Sequence, residues 1–185
     1  DLFEGLAIEQ MEENWDKHPV FHLDLNARKY EYPEDLTAML NQYLEKWEAK
    51  FGDEKKHRAP EERFEYVIQR AYEQTGKGVV VLVDEYDSPL LDTNSEPALQ
   101  KELRNIVRDF FSPLKGVGQY LRFLLLTGIS KFSQLSIFSE LNNLQNISMR
   151  DDFSAICGIT ERELHTALQL DIQRMADANN ETYEE

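Results

Sequence analysis

A run of apolar residues that ends in two adjacent carboxylates constrains the fold of this chain most strongly. Residues 79–83 are Val-Val-Val-Leu-Val, and Asp84 and Glu85 follow them directly. An uninterrupted apolar run of this kind is typical of a central parallel strand that is covered on both faces. Ligands of open α/β sheets bind beyond the carboxyl ends of such strands, so both acids are predicted to lie at a ligand-binding edge.

This pattern has the layout of a Walker B segment. In such a segment the first acid holds the magnesium shell of a nucleotide, and the second positions or activates the attacking water. The alternative is that Asp84 and Glu85 are strand-end acids with no role in a site, because a hydrophobic run followed by Asp-Glu also arises by chance.

A phosphate-binding loop is absent from the sequence. Such a loop needs the pattern G-x-x-x-x-G-K-[ST], and the one Gly-Lys pair of the chain is Gly76-Lys77. Ala71 stands where the first glycine is required, and Gly78 stands where Ser or Thr is required. The pair also precedes the apolar run, where it predicts a helix end and a turn.

A second apolar strand is predicted across residues 120–127, and a helix with one clean apolar stripe is predicted across residues 96–114. Strand, long helix and strand form a βαβ unit, which requires the two strands to be parallel. Thr127 is therefore predicted to lie at the same sheet edge as Asp84 and Glu85. Without those acids, Thr127 would be read as a turn residue that merely closes the strand.

Alternating polarity predicts one more strand, and helical periodicity predicts several helices. The strand covers residues 20–25. His22 and Asp24 could form a catalytic or metal pair, but the alternation favours their being the polar face of the strand. The predicted helices cover residues 2–15, 34–51 and 61–73, and a further helix begins at about Thr160 with a capping box.

Composition narrows the classes of function. The net charge of −15 repels phosphate backbones and disfavours nucleic-acid binding by this chain. A single cysteine, Cys157, excludes an internal disulfide, is predicted to be buried, and suits a reducing, cytoplasmic compartment. No apolar stretch approaches the roughly 20 residues that span a bilayer, so no membrane contact is predicted. The chain starts in an amphipathic pattern and stops at Glu184-Glu185, which suggests a piece of a longer protein.

Six short motifs occur in order along the chain. They are HLDL at 22–25, AYEQTG at 71–76, VDEYDSPL at 83–90, LTGISKFS at 126–133, FSELNNL at 138–144 and ICGITEREL at 156–164. Together they resemble the bacterial AAA-ATPase-like family, large proteins that usually join a P-loop ATPase core to a nuclease-like domain of the PD-(D/E)XK type. The resemblance runs from about residue 2 to about residue 176.

The resemblance implies a fold and its division. The expected fold is an α/β core with a three-layer parallel sheet of P-loop NTPase type, incomplete because the phosphate-loop strand would lie upstream of Asp1. Residues 1–150 would be this partial ATPase core with its Walker B and sensor strands. Residues 151–185 would begin a small C-terminal helical segment, and the nuclease-like domain would lie further downstream.

The resemblance also implies ATP and Mg²⁺ as cofactors of the parent protein. Asp84 would hold the magnesium shell, Glu85 would act on water, and Thr127 with Ser130 would form the polar sensor after the next strand. Three further family signature positions or pairs have no assigned role, namely Asp87, Lys131 and the pair Asn142 and Asn143.

Without its phosphate loop the chain alone is expected to be catalytically silent and to hold no nucleotide. The rival interpretation is a regulatory or protein-interaction module that keeps an ATPase-like fold without hydrolysis, and a protein partner or oligomer stays open under both. A nuclease is disfavoured because it needs an E-x-K pattern on a strand, and Glu85 is followed two positions later by Asp87.

Overall fold

A computed structural model describes residues 4–5, 7–11, 14–129 and 144–180. The chain divides into two compact units, Asp1–Asn143 and Leu144–Glu185. The first unit contains a parallel sheet and its connecting helices. Its elements are α1 (Ala7–Met11), β1 (Val20–Asp24), α2 (Pro33–Phe51), α3 (Pro60–Thr75), β2 (Val79–Asp84), α4 (Ser88–Leu91), α5 (Pro97–Phe111), two 3₁₀ turns (Ser112–Lys115 and Gly118–Tyr120) and β3 (Leu121–Leu126).

The three strands form one sheet in the order β1-β2-β3, and both pairs of neighbours are parallel. Val81 is the register partner of Phe21 on one side and of Leu124 on the other. A register shift occurs between Val79 and Val80, where β3 enters the sheet. The prediction that the strands around residues 79–84 and 120–127 are parallel neighbours is confirmed.

The long helices lie together on one face of the sheet. The strand order advances in the same direction at both crossovers, so right-handed connections place their helices on the same side. The aromatic core shows this packing. Phe21 of β1 stacks on Trp47 of α2 with ring centroids 4.6 Å apart, and Phe64 of α3 stacks on Phe110 of α5 at 4.8 Å.

The two faces of β2 differ in exposure. Val79, Val81 and Val83 are buried against the helices, whereas Val80 and Leu82 are only half-buried. On β3 the neighbour of Val80, Phe123, is 52% exposed. The expectation that β2 is covered on both faces is therefore not met, because both crossovers deliver their helices to one side. The observed fold belongs to the α/β class, with an open, three-stranded parallel sheet and helices.

A buried ion pair joins α2 to α3. Arg63 donates from Nε to Oε1 of Glu48 and from Nη2 to Oε2, each at 2.7 Å, and from Nη1 to Asn41 Oδ1 at 2.5 Å. Only 8% of the Arg63 side chain and 4% of the Glu48 side chain are exposed. Such bidentate geometry holds the two helices in one register.

The predicted helix bounds agree closely with the structure. The helices predicted at 34–51, 61–73 and 96–114 correspond to α2, α3 and α5 with the following 3₁₀ turn. Gly76 ends α3 with φ of 65°, the left-handed conformation expected of a glycine helix stop. Of the helix predicted across residues 2–15, the described part is helical over Ala7–Met11.

The second unit contains a 3₁₀ turn (Asp151–Phe153) and two helices, α6 (Glu161–Thr166) and α7 (Gln169–Asn179). The predicted capping box is confirmed, since Thr160 N donates to Glu163 Oε2 at 2.7 Å and Glu163 N donates to Thr160 Oγ1 at 3.3 Å. The Thr160 hydroxyl also donates to Glu163 Oε2 at 2.7 Å, and this bond, with the one from Thr160 N–H, lowers the pKa of Glu163. The prediction that Cys157 is buried is wrong, because it lies in an exposed turn before α6.

The domain boundary predicted between residues 150 and 151 stays a prediction. Within the part of the chain that the structure describes, no helix is both long enough and apolar enough to cross a bilayer.

Candidate functional site

The carboxyl ends of all three strands meet at one edge of the sheet. Asp24 and Asp84 are register partners in β1 and β2, and Leu25 N donates to the carbonyl of Asp84 at 3.0 Å. Thr127 directly follows β3, and its N–H donates to Val83 O at 2.9 Å. Parallel pairing thus brings the predicted residues Asp84, Glu85 and Thr127 together, as the βαβ argument requires.

The hydroxyl of Thr127 links the two strand ends. Its Oγ1 donates to Oδ1 of Asp84 and accepts from the N–H of Glu85 at 3.3 Å. The hydroxyl thus donates one hydrogen bond and accepts another, and these two bonds fix its orientation. Asp84 and Thr127 are both exposed, which leaves them accessible to a hydrated ligand.

Glu85 has an unusual backbone conformation. Its φ of 50° lies in the left-handed region, which a non-glycine residue adopts rarely and at a cost. This conformation turns the chain sharply at the strand end, so that the next amide, Tyr86 N–H, donates to the carbonyl of Thr127 at 3.0 Å. The Glu85 side chain is half-buried. Strained backbone positions of this kind cluster at functional sites, and the strained residue here is Glu85, the second acid of the Asp-Glu pair.

The turn that follows Glu85 also reaches the loop after β1. Ser88 is 5% exposed, and its Oγ donates to Oδ1 of Asn26 at 3.1 Å. Asp87 is fully buried, and its Oδ1 accepts from the N–H of Ile129 at 3.3 Å. The short turn after β2 therefore contacts the loops that follow both neighbouring strands.

Tyr86 lies beneath this edge and is 4% exposed. Its burial, together with the negative charge of the neighbouring Asp87, raises the pKa of Tyr86 to about 12. The phenol is therefore neutral at physiological pH and supports the turn as a packed ring.

The side-chain donors of Asp84 and Thr127 at this edge are oxygen atoms. Within residues 4–5, 7–11, 14–129 and 144–180, no group of three or more His, Cys, Asp or Glu side chains is arranged to hold a metal. Magnesium differs from metals that need such a cage, because it keeps several waters and uses one or two carboxylates together with substrate phosphates. An accessible Asp84 carboxylate oriented by Thr127 fits that mode of binding.

The remaining predicted site residue, Ser130, lies outside the described residues, as do Lys131, Asn142 and Asn143. Sequence reasoning missed the position of Asp24 at this edge, because it preferred the polar face of a strand to a catalytic or metal pair of His22 and Asp24. Aligning the ends of the two predicted strands would have found it. The buried location of Asp87 had no signal in the sequence.

Comparison with known proteins agrees with the architecture. The parallel sheet with acids at its carboxyl edge defines an α/β domain of the kind that binds ligands at that edge. The sequence profile of the AAA-ATPase-like family, described as predicted AAA-ATPase, matches residues 1–138. The chain belongs to this AAA-ATPase-like family.

One relative shows how much of a longer protein the chain matches. The "Uncharacterized protein in vnfD 5′ region" of Azotobacter chroococcum mcd 1 is 37% identical over 166 residues. The alignment covers 88% of this chain and 32% of that protein, so the chain spans about a third of the length of its relative. No solved structure matches the chain significantly.

Proposed function

We propose that this chain is the Walker B and sensor part of an ATP-hydrolysing core within a longer protein. The observation that carries the proposal is the contact between the Thr127 hydroxyl and Asp84 at the carboxyl end of a central parallel strand. Membership of the AAA-ATPase-like family supports it, as does the position of Glu85 next to Asp84. The full sheet of the longer protein would be of P-loop type, with a third layer on the face that carries Val80 and Phe123.

Each residue has a distinct role in this proposal. Asp84 would accept hydrogen bonds from the waters of a magnesium shell, and the Thr127 hydroxyl would hold its carboxylate in place. Glu85 would orient the attacking water and accept its proton, while Thr127 and Ser130 would report the state of the γ-phosphate. When bound, Mg²⁺ would neutralise the negative charge that develops on the transferred phosphoryl group.

The phosphate cradle must come from elsewhere in the longer protein. The sequence has no G-K-[ST] loop, whose amides and lysine supply most phosphate contacts. β3 is an edge strand of the described sheet, so a further strand can pair with it. We therefore propose that the 185-residue chain alone is inactive. The proposal includes a cytoplasmic location, in keeping with the single cysteine.

The test is a pair of substitutions in the longer protein. Glu85→Gln keeps the shape of the side chain but removes its negative charge, so ATP hydrolysis should fall by about a hundredfold or more while ATP affinity persists. Asp84→Asn should weaken both magnesium-dependent ATP binding and turnover. Steady-state hydrolysis and calorimetric binding of MgATP measure the two effects separately.

A matched control is Asp53→Asn, which removes an exposed carboxylate from the loop between α2 and α3. It should change neither binding nor turnover. If the wild-type protein hydrolyses ATP and neither Glu85→Gln nor Asp84→Asn alters the rate, the Walker B assignment fails. If the wild-type protein does not hydrolyse ATP at all, the regulatory or interaction module becomes the better account.

A further inference from the structure

We propose that Asp87 is a positioning residue that fixes the loop after β3, and with it the Thr127 hydroxyl, against Asp84 and Glu85. This inference rests on the ATPase function proposed above and assigns a role to the buried Asp87 side chain. Asp87 lies two residues beyond Glu85 and is fully buried. It would act on turnover through the position of Thr127.

The burial of Asp87 requires strong partners. A carboxylate removed from water is costly unless hydrogen bonds replace its hydration. Oδ1 of Asp87 accepts from the N–H of Ile129 at 3.3 Å. The side chain of Ile129 is 80% exposed, so it does not anchor the loop by apolar packing. The hydrogen bond to Asp87 therefore restrains the backbone of the loop at Ile129.

At Gly128, the loop after β3 packs closely against the buried turn that follows β2. A Cβ atom built on Gly128 would be 2.5 Å from Oδ1 of Asp87 and 2.7 Å from Cε1 of Tyr86. Distances this short leave no room for any side chain, so the backbone itself forms the contact. Asp87 and Gly128 thus form a close interface between the two strand-end loops.

Asp87 is itself held by the core. Its carbonyl accepts from the N–H groups of Leu90 at 2.9 Å and Leu91 at 3.0 Å. These are the first hydrogen bonds of the helix α4, for which Asp87 is the N-cap. Leu90 is 1% exposed, and α4 packs against α5. The carboxylate is therefore attached to a rigid support and can impose its position on the loop.

Thr127 immediately precedes this contact. Its carbonyl accepts from Tyr86 N–H at 3.0 Å, and its hydroxyl donates to Asp84. Releasing the loop at Ile129 should let Thr127 shift from Asp84, and small displacements of this kind reduce turnover strongly. Groups that bind the nucleotide elsewhere would be unaffected, so kcat should fall while KM for ATP holds.

The experiment compares wild type, Asp87→Ala and Asp87→Asn in the longer protein. Hydrogen–deuterium exchange with mass spectrometry follows the peptide that contains residues 127–129, and steady-state kinetics gives kcat and KM for ATP. In Asp87→Ala, exchange at Ile129 should accelerate by about tenfold or more, because a hydrogen bond to a charged acceptor is lost. Its kcat should fall by about tenfold to a hundredfold with KM within about twofold.

Asp87→Asn tests the reason for these effects, since asparagine keeps an acceptor oxygen at the same place. It should restore both the slow exchange of Ile129 and most of kcat. The peptide that spans β2 serves as the internal control and should exchange as in wild type. If it opens in Asp87→Ala, then Gly128→Ala, which perturbs the same contact from the loop side, replaces that variant in the kinetic comparison.

The possible failures are distinguishable. A wild-type protein without ATP hydrolysis would overturn the proposed function and, with it, this role. A hydrolysing wild type whose kcat is unchanged in Asp87→Ala, or in Gly128→Ala, would overturn the positioning role alone. Equal losses of kcat in Asp87→Ala and Asp87→Asn would also overturn it, because the acceptor oxygen would then be irrelevant.

Discussion

Replacing Gly128 with alanine should destabilise the protein, because the structure leaves no space for a methyl group there. The added Cβ would lie 2.5 Å from Oδ1 of Asp87 and 2.7 Å from Cε1 of Tyr86. Neither neighbour can move aside easily, since Asp87 is 0% exposed and Tyr86 is 4% exposed. Overpacking of this kind typically costs about 1–3 kcal/mol.

An opposing effect must be subtracted from this cost. Exchanging glycine for alanine reduces the entropy of the unfolded chain and stabilises a protein by about 0.4–1 kcal/mol where the native backbone tolerates it. The net expectation for Gly128→Ala is a loss of between about 0 and 2.6 kcal/mol, centred near about 1.3 kcal/mol, in the free energy of unfolding. For a chain of this size, each kcal/mol of lost stability lowers Tm by about 2–4 °C. Urea denaturation followed by tryptophan fluorescence measures it.

Gly118→Ala provides the matched control. A Cβ on Gly118 would meet nothing within 4 Å, so this variant should be neutral or stabilised by up to about 1 kcal/mol. If Gly128→Ala proves as stable as Gly118→Ala, then the two strand-end loops do not touch as described. The proposed positioning of Thr127 by Asp87 would lose its geometric basis in the same measurement.

Three further outcomes are expected. Arg63→Met should lower the free energy of unfolding by about 3–5 kcal/mol because it strands the buried carboxylate of Glu48. Arg70→Met, at a more exposed ion pair, should lower it far less, and denaturant titration compares the two variants. The raised pKa of Tyr86, about 12, favours the neutral phenol in the folded state, so its contribution is complete below the ordinary tyrosine pKa of about 10 and is lost as the pH rises from about 10 to about 12. The stability of wild type relative to Tyr86→Phe should therefore decline over that range, and an unchanged difference in denaturation between about pH 8 and pH 12 would contradict the burial and charge that raise this pKa. Calorimetry of the 185-residue chain with millimolar MgATP should show weak binding or none, and saturable binding at micromolar concentrations would mean that the nucleotide site has been misplaced.

The sheet and its connections were predictable because their sequence signals are strong. The apolar run of β2, the apolar stripe of α5 and the apolar residues of β3 define a βαβ unit, which leaves only a parallel arrangement. The meeting of Thr127 with Asp84 follows from that topology alone. Helix ends at Gly76 and Thr160 were predictable because each uses a local device that the sequence displays.

The detailed contacts of the site were not predictable, because they depend on neighbours that are distant in the sequence. An aspartate three residues beyond a strand normally lies in solvent, yet Asp87 is buried by the turn into α4 and by Gly128. The left-handed backbone of Glu85 likewise depends on hydrogen bonds to Thr127 rather than on residue type. A local sequence pattern does not predict contacts between residues that are distant in the sequence.

The exposed face of β2 illustrates a different limit. An apolar run indicates that a strand can be covered on both faces, but the side on which helices pack follows from the direction of each crossover. Val80 and Leu82 are apolar and only half-buried, because the three long helices lie on the opposite face. Strand order, which the sequence did not determine, was the missing information.

Metal-directed cleavage of the longer protein tests the central claim most directly. Fe²⁺ takes the place of Mg²⁺ and is added with ATP, ascorbate and hydrogen peroxide. The bound Fe²⁺ reduces the peroxide to hydroxide and a hydroxyl radical, which cuts the backbone close to the metal, and ascorbate returns Fe³⁺ to Fe²⁺. The account predicts ATP-dependent cuts beside Asp84 and beside Thr127, and their disappearance in Asp84→Asn. Cuts that fall only elsewhere in the protein, or that are the same with and without ATP, would show that this edge of the sheet does not hold the metal and nucleotide.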